Sequence, residues 1–271
     1  MIRDTNPCTI VFAESNLQGK LFVAADLSLA DFSNAELETA KFVRCNLSHS
    51  ILKGVNLSHA GLGAVNLIAA DLTASNLENA LLLDCDLTDT TLSQASFSEA
   101  ILPTLQFIGT ILDSATFRLA DLSRCTFQNC RGNMASFERA SLLDSQWQDT
   151  VVEDGNFDFA DLRNAVFRRC WFTRCNFVGA ALEGTQFIEC DLTGADFYWS
   201  HFDDSKCFNC TLTDIRRPEE QKIVYGPKGV TPPVVVPKAL YRHAITEEER
   251  EKILAEALKP LPAERKAQGP K

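Results

Sequence analysis

Residues 25–52 read ADLSLADFSNAELETAKFVRCNLSHSIL, and a large apolar residue falls on every fifth position: Leu27, Phe32, Leu37, Phe42, Leu47 and Leu52. Followed outward in both directions, the series runs from Phe12 to Leu212 without an insertion. It occupies 41 positions, of which 37 are Leu or Phe; the departures are Gly132, Trp147, Val152 and Cys207. The residue two places before each is small in most units, as in Ala25, Ala30, Ala35, Ala40, Cys45 and Ser50. Ile10, Lys20 and Leu105 break that rule, and Val55 and Val65 are intermediate. Neither a helix nor a flat strand repeats every five residues. One large and one small inward residue per pentad predicts a short side that turns a corner and then repeats.

A second period counts the sides. At a spacing of 20, Leu17, Leu37, Leu57 and Leu77 are followed by Phe97, Phe117, Phe137, Phe157, Phe177 and Phe197. Another side carries Ala40, Ala60, Ala80, Ala100, Ala120, Ala140, Ala160 and Ala180 at its small position. Like residues at this spacing mark equivalent sites in a stack, so four pentads close one coil. Coils that pair as strands do lie roughly 4.8 Å apart, and about ten of them make a rod of roughly 48 Å.

Units such as Ala25-Asp26-Leu27, Ala30-Asp31-Phe32, Ala70-Asp71-Leu72, Ala120-Asp121-Leu122 and Ala160-Asp161-Leu162 resemble the pentapeptide-repeat family, whose unit is A(D/N)LXX. The resemblance covers about 200 of the 271 residues. It implies an all-β fold: a right-handed quadrilateral parallel β-helix of about ten 20-residue coils, here over residues 1–212. The family's binding surfaces follow no motif, so no functional residue carries over.

Beyond Leu212 the composition changes, and eight of the ten prolines lie there. Residues 213–245 read as a Pro-rich extended linker around GPKGVTPPVVVP at 226–237. Thr246-Glu247-Glu248-Glu249 forms a capping box, and Ile253, Leu254, Ala257 and Leu258 make an apolar stripe that Pro260 ends. A short amphipathic helix is expected over 246–259, followed by a disordered tail over 260–271.

Net charge is −10, divided unevenly. Residues 1–212 carry 14 Lys+Arg and 27 Asp+Glu, a balance of −13, whereas 213–271 carry 12 and 9, or +3. An acidic rod has no non-specific grip on phosphates, which argues against direct nucleic-acid binding. No run of 18 apolar residues suggests a membrane span. Asp4 and Glu14 and the lack of an apolar stretch near the N-terminus argue against a secretory signal, so a cytoplasmic setting is expected.

Eight of the ten cysteines occupy the small inward position: Cys45, Cys85, Cys125, Cys130, Cys170, Cys175, Cys190 and Cys210. They read as reduced core thiols. Cys170, Cys190 and Cys210 stack on successive coils, which leaves a disulfide or a metal ladder as alternatives. The regular Asp or Asn before each large residue reads as a turn device. His49, His59, His201 and His243 share no column, and no nucleophile–base set or glycine-rich phosphate loop is present. The expectation is no enzyme, no cofactor and no bound metal. At Gly132 the bulk of a core residue is missing, and Met134 is the candidate to swing in.

Function is therefore sought on the outward columns. One side shows Leu21, Val23, Val43, Leu81, Leu83, Ile101, Pro103 and Leu143, an apolar face suited to a protein partner or a homodimer. Glu38, Glu78, Glu99, Glu138 and Asp158 share another, interrupted by Arg118 and Arg139. At a corner, Phe159, Gly179 and Trp199 share a column beside Val178 and Tyr198, with Gly179 expected to leave a gap. The proline-rich Val230–Val234 stretch of the tail is within reach of that gap. These features predict a rigid, non-enzymatic interaction scaffold or adaptor. The resemblance implies a second reading, a DNA mimic that binds a type II topoisomerase and modulates or protects it.

Overall fold

The computed structural model describes residues 10–202 and 204–216. The pentad becomes a parallel β-solenoid in which each coil pairs with the next at a register of 20 residues. From Leu27 to Phe197 every member of the five-residue series is buried, and the small residues join them in one continuous core.

Three sides of a coil are tight turns. The N–H of Ala30 donates to the Leu27 carbonyl at 3.1 Å, Ala35 to Phe32 at 2.9 Å and Ala40 to Leu37 at 2.9 Å. The third residue of each turn takes a left-handed conformation, with φ of 61° at Leu29, 55° at Asn34 and 58° at Thr39. That is the geometry of a type II turn, reached here without glycine. The fourth side carries a three-residue strand, and no such bond closes its corner.

The strands are β1 Leu21–Val23, β2 Lys41–Val43, β3 Gly61–Gly63, β4 Leu81–Leu83, β5 Gln106–Ile108, β6 Thr126–Gln128, β7 Gln146–Gln148, β8 Val166–Arg168, β9 Gln186–Ile188 and β10 Lys206–Phe208. They form two sheets, β1-β2-β3-β4 and β10-β9-β8-β7-β6-β5. Between β4 and β5 the strand moves to the next side of the coil. At that point Pro103 stands second in a Leu102–Leu105 turn, the place a fixed φ favours, with Thr104 left-handed at φ 63°.

The switch leaves a mark in the small-residue column. Corners after tight turns are mostly Ala, but those after β2–β4 hold Cys45, Val65 and Cys85, and those after β5–β10 hold Thr110, Cys130, Thr150, Cys170, Cys190 and Cys210. Thr or Cys also stands after some tight turns, at Thr90, Cys125, Cys175 and Thr185, but on the strand side it is the rule. The added hydroxyl or thiol then donates to a carbonyl of the preceding coil, as from Thr110 to Leu87 at 3.0 Å and Cys130 to Phe107 at 3.1 Å.

Rings fill the later core. Phe97, Phe117, Phe137, Phe157, Phe177 and Phe197 stack with centroids 4.9–5.0 Å apart. A second ladder through Phe107, Phe127, Trp147, Phe167 and Phe187 meets the first edge-on. Gly132 is buried within this core, where a Cβ would lie 3.3 Å from Leu112 Cβ and 3.5 Å from Val152 Cγ2. Met134 does not fill the place: it is 62% exposed, because its left-handed turn position points outward. One coil on, Val152 is reduced as well, and the adjoining side carries the large Trp147, stacked on Phe127.

Coil geometry continues past Leu212 to Arg216, whose carbonyl accepts from Phe197 N at 2.7 Å, and Ile215 packs against the core. The expected linker, the helix over 246–259 and the tail over 260–271 lie outside the described residues.

Candidate interaction surface

The Asp and Asn residues before each large position are turn devices. Asp31 Oδ1 accepts from Ser33 N at 2.8 Å and from its hydroxyl at 2.6 Å, and Asp71, Asp191 and Asn66 repeat the backbone bond. The Ser33 bonds hold the Asp31 carboxyl below its usual range. Arginines of the later coils tie one coil to another. Arg169 grips Asp149 through Nε at 2.6 Å and a second nitrogen at 2.9 Å, and Arg174 grips Asp154 at 2.7 Å through both. Arg216 reaches Asp196 at 2.9 Å. Each pair spans 20 residues, so the ladder that stacks the core also aligns opposite charges on the surface.

The apolar face is narrower than its sequence suggests. Val43 and Leu83 are each 2% exposed, and Pro103 is buried as well. They point away from the core axis yet are covered, and in register Gly63 lies between them, with Val23 on the far side of Val43. Leu21, Leu81, Ile101 and Leu143 are half-buried, and Val23 in the first strand is the exposed member. Leu143 stands apart, in a shallow hollow with Arg163, Asn164, Glu183, Gly184 and Asp204.

The aromatic corner is real but holds no gap. Phe159 and Trp199 are exposed, at 42% and 57%. Gly179 lies beneath the Phe159 ring: a Cβ there would sit 2.6 Å from Phe159 Cε1. The space reserved for a proline segment is therefore filled by Phe159 itself. The Arg139 guanidinium, one coil earlier, lies 5.7 Å from the centroid of the same Phe159 ring, and that of Arg216 lies 5.0 Å from the Tyr198 centroid. Tyr198 and Trp199 rest against each other at 5.0 Å. Val178, half-buried, donates its N–H to Asp158 Oδ1 at 3.0 Å. Burial raises the Asp158 carboxyl, with further repulsion from Glu138 and Asp196. The expected docking of Val230–Val234 lies outside the described residues. What the sequence did not single out is Trp171 and Phe208, exposed at 45% and 50% on neighbouring sides; each sits one place from a member of the five-residue series, Phe172 and Cys207.

The cysteines among the described residues are free thiols. Burial pushes Cys85 and Cys175 up to about 12. Among these residues, no three His, Cys, Asp or Glu side chains gather so as to hold a metal ion. No helix among them is long and apolar enough to cross a membrane.

Comparison with known proteins gives a consistent family signal. Residues 100–177 match a pentapeptide repeat region, and residues 10–42, 40–62, 66–102 and 170–206 match pentapeptide repeats, in 8 copies. Among curated proteins no sequence matches. Solved structures that align include HetL, a pentapeptide repeat protein involved in heterocyst differentiation regulation from the cyanobacterium Nostoc sp., at 24% identity over 75% of this chain and 87% of that one, with a TM-score of 0.34. QnrB1, a plasmid-mediated fluoroquinolone resistance protein, aligns at 14% identity over 76% and 92%, with a TM-score of 0.43. A thylakoid-lumen protein of Arabidopsis thaliana aligns at 28% identity over 42% of this chain and 66% of that one, with a TM-score of 0.27.

Proposed function

We propose that this chain, which belongs to the pentapeptide-repeat family, is a non-enzymatic protein-interaction scaffold that engages its partner through the aromatic corner of its last coils. The observation that carries this reading is the distribution of exposed rings. Among the described residues, every exposed Trp and Phe lies between Phe159 and Phe208. Trp, Tyr and Arg dominate the energetic centres of protein interfaces, and the corner presents Trp199 and Tyr198 with Arg139 and Arg216 beside them. The tight coil stack beneath holds these side chains on a rigid base, which lowers the ordering cost of binding.

The test is affinity capture with the full chain and with Trp199→Ala. A partner retained by the wild type and lost by the variant, at unchanged circular dichroism, supports the reading. Equal capture by both overturns the assignment of the corner.

A second reading rests on a separate observation: residues 60–117 contain no Lys, Arg or His but carry Asp71, Glu78, Asp84, Asp86, Asp89, Glu99 and Asp113. An uninterrupted acidic segment on a rod favours a DNA mimic directed at a type II topoisomerase. Ion pairs weaken it: Lys53 neutralises Asp71 and Arg131 neutralises Asp113 within this set, and further arginines are paired with carboxylates in the later coils. A supercoiling assay with purified gyrase separates the readings: inhibition or protection, lost in a variant with Asp86 and Asp89 changed to Asn, supports the mimic, and no effect removes it.

A further inference from the structure

We propose that the side of the rod carrying β5–β10 is a self-association face, on which a second copy of this chain docks with its rod antiparallel. The side is continuous along the rod. Parallel bridges run from Asp26 through Asn46, Asn66 and Asp86 to Gln106, and β5–β10 carry the column on to Lys206. Its charge changes sign from end to end. The two outward columns hold Asp26 and Asp86, and no Lys or Arg, over residues 26–88. Over residues 106–208 they hold Arg168 and Lys206, and no Asp or Glu. The middle is neutral, with Gln106, Thr126, Gln128, Gln146 and Gln148.

All four charges are exposed. Arg163, Arg169, Arg174 and Arg216 are taken up in ion pairs, whereas Arg168 and Lys206 form none among the described residues. Two cations are thus left for an outside partner at one end of a side whose other end is anionic.

Symmetry then selects the orientation. A two-fold axis between β5 and β6, at right angles to the rod, sets the coil of Asp26 in one copy against the coil of Lys206 in the other. Asp26 opposes Lys206, and Arg168 opposes Ile68, one coil from Asp86 and within reach of its long side chain. Rods docked in parallel would instead set each charged end on its like, which repels.

A second observation fits the same axis. Leu29 and Phe208 are exposed at 46% and 50%, at opposite ends of this side. Antiparallel docking places Phe208 over Ser28, next to Leu29, so each exposed apolar side chain covers the other. Tyr198 and Trp199 stand two sides away, and the dimer leaves them open.

The face measures roughly 48 Å by 10 Å, from about ten coils and a width of about three residues. Two copies bury about 1,000 Å² in total, the lower limit for a specific interface. The association is therefore weak and depends on salt.

The test is sedimentation equilibrium of the full chain. At low salt the mass should rise with concentration from one copy toward two, and 1 M salt, with a screening length of roughly 3 Å, should return the monomer. Lys206→Glu, checked for fold by circular dichroism, reverses two contacts per dimer and should weaken association about tenfold or more. The double variant Asp26→Lys, Lys206→Glu should recover it, because the exchanged charges meet again across the axis. A wild type that stays monomeric, a dimer indifferent to salt or to Lys206→Glu, or a folded double variant that fails to recover would each overturn the proposal.

Discussion

The sheet of β1–β4 and the sheet of β5–β10 are built from one pentad, yet they hold their coils together by different means. The first stacks mostly Leu, as in Leu37, Leu57 and Leu77, and links its surface through carboxyl–amide contacts such as Asn46 to Asp26 at 3.0 Å and Asn56 to Glu36 at 2.9 Å. The second stacks rings and links its surface through Arg–carboxylate pairs. A repeat with fixed coil spacing dictates where ladders run but not their chemistry. The consequence is external: the first half shows little-compensated acidity, and the second shows neutralised charge with exposed aromatics.

The largest effect expected on this comparison comes from the ring ladder. Phe137 stacks on Phe117 at 5.0 Å and Phe157 at 4.9 Å and meets Trp147 edge-on at 5.5 Å. Phe137→Ala should cost roughly 3–5 kcal/mol in urea melts, and Leu77→Ala in the first half roughly 2–5 kcal/mol. A loss at Phe137 below about 1 kcal/mol would break the claim that rings bind the second half together.

The next tests the two kinds of corner. Ala120 follows a tight turn in a column that is Ala at every coil from Ala40 to Ala180, where the added atoms of Ala120→Thr overpack the core at a cost of roughly 1–3 kcal/mol. Cys130 follows a strand, in a column that already holds Thr110 and Thr150, so Cys130→Thr should cost less than about 1.5 kcal/mol. Equal costs at both would mean that the strand side gives its corner no extra room.

Glycine sharpens the comparison from outside. Gly54 and Gly179 are both left-handed, at φ 61° and 65°. A Cβ on Gly54 meets only the movable Asn34 amide oxygen, whereas on Gly179 it meets the Phe159 ring. Gly54→Ala should cost the left-handed penalty alone, roughly 1–2 kcal/mol. Gly179→Ala should exceed it and raise the exposure of Phe159. The same loss at both would show that the ring moves aside freely.

How far the sequence carried can be judged at single residues. The register from Phe12 to Leu212 located the core because burial alternates within each pentad and no insertion breaks it. Exposure was harder: Val43 and Leu83 were expected outward and accessible, but both are buried. Gly179 suggested a gap because a missing side chain says nothing of which neighbour leans over it. The move of the strand between sides was legible in principle, since Cys45, Val65 and Cys85 give way to Thr110, Cys130 and Thr150 five residues out of step with them. Trp171 and Phe208 carry no periodic signal, so only the folded surface reveals them.

The smallest effect concerns the Arg ladder. The Arg169 guanidinium, bonded to Asp149 at 2.6 Å and aided by Gln148, lowers the Asp149 carboxyl to about 2. A carboxyl lowered by folding adds stability above its unfolded value, about 4. That contribution disappears as the pH falls through the folded value. The midpoint difference between wild type and Arg169→Ala in denaturant should therefore hold steady from neutral pH to about 4, then shrink toward pH 2. Both side chains are solvent-accessible, so the difference is small, and 1 M salt with its roughly 3 Å screening length should reduce it further. A difference that stays constant down to about pH 2 would mean Arg169 acts through packing of its stem rather than its charge. The two halves would then differ in their cores and not in how their surfaces are joined.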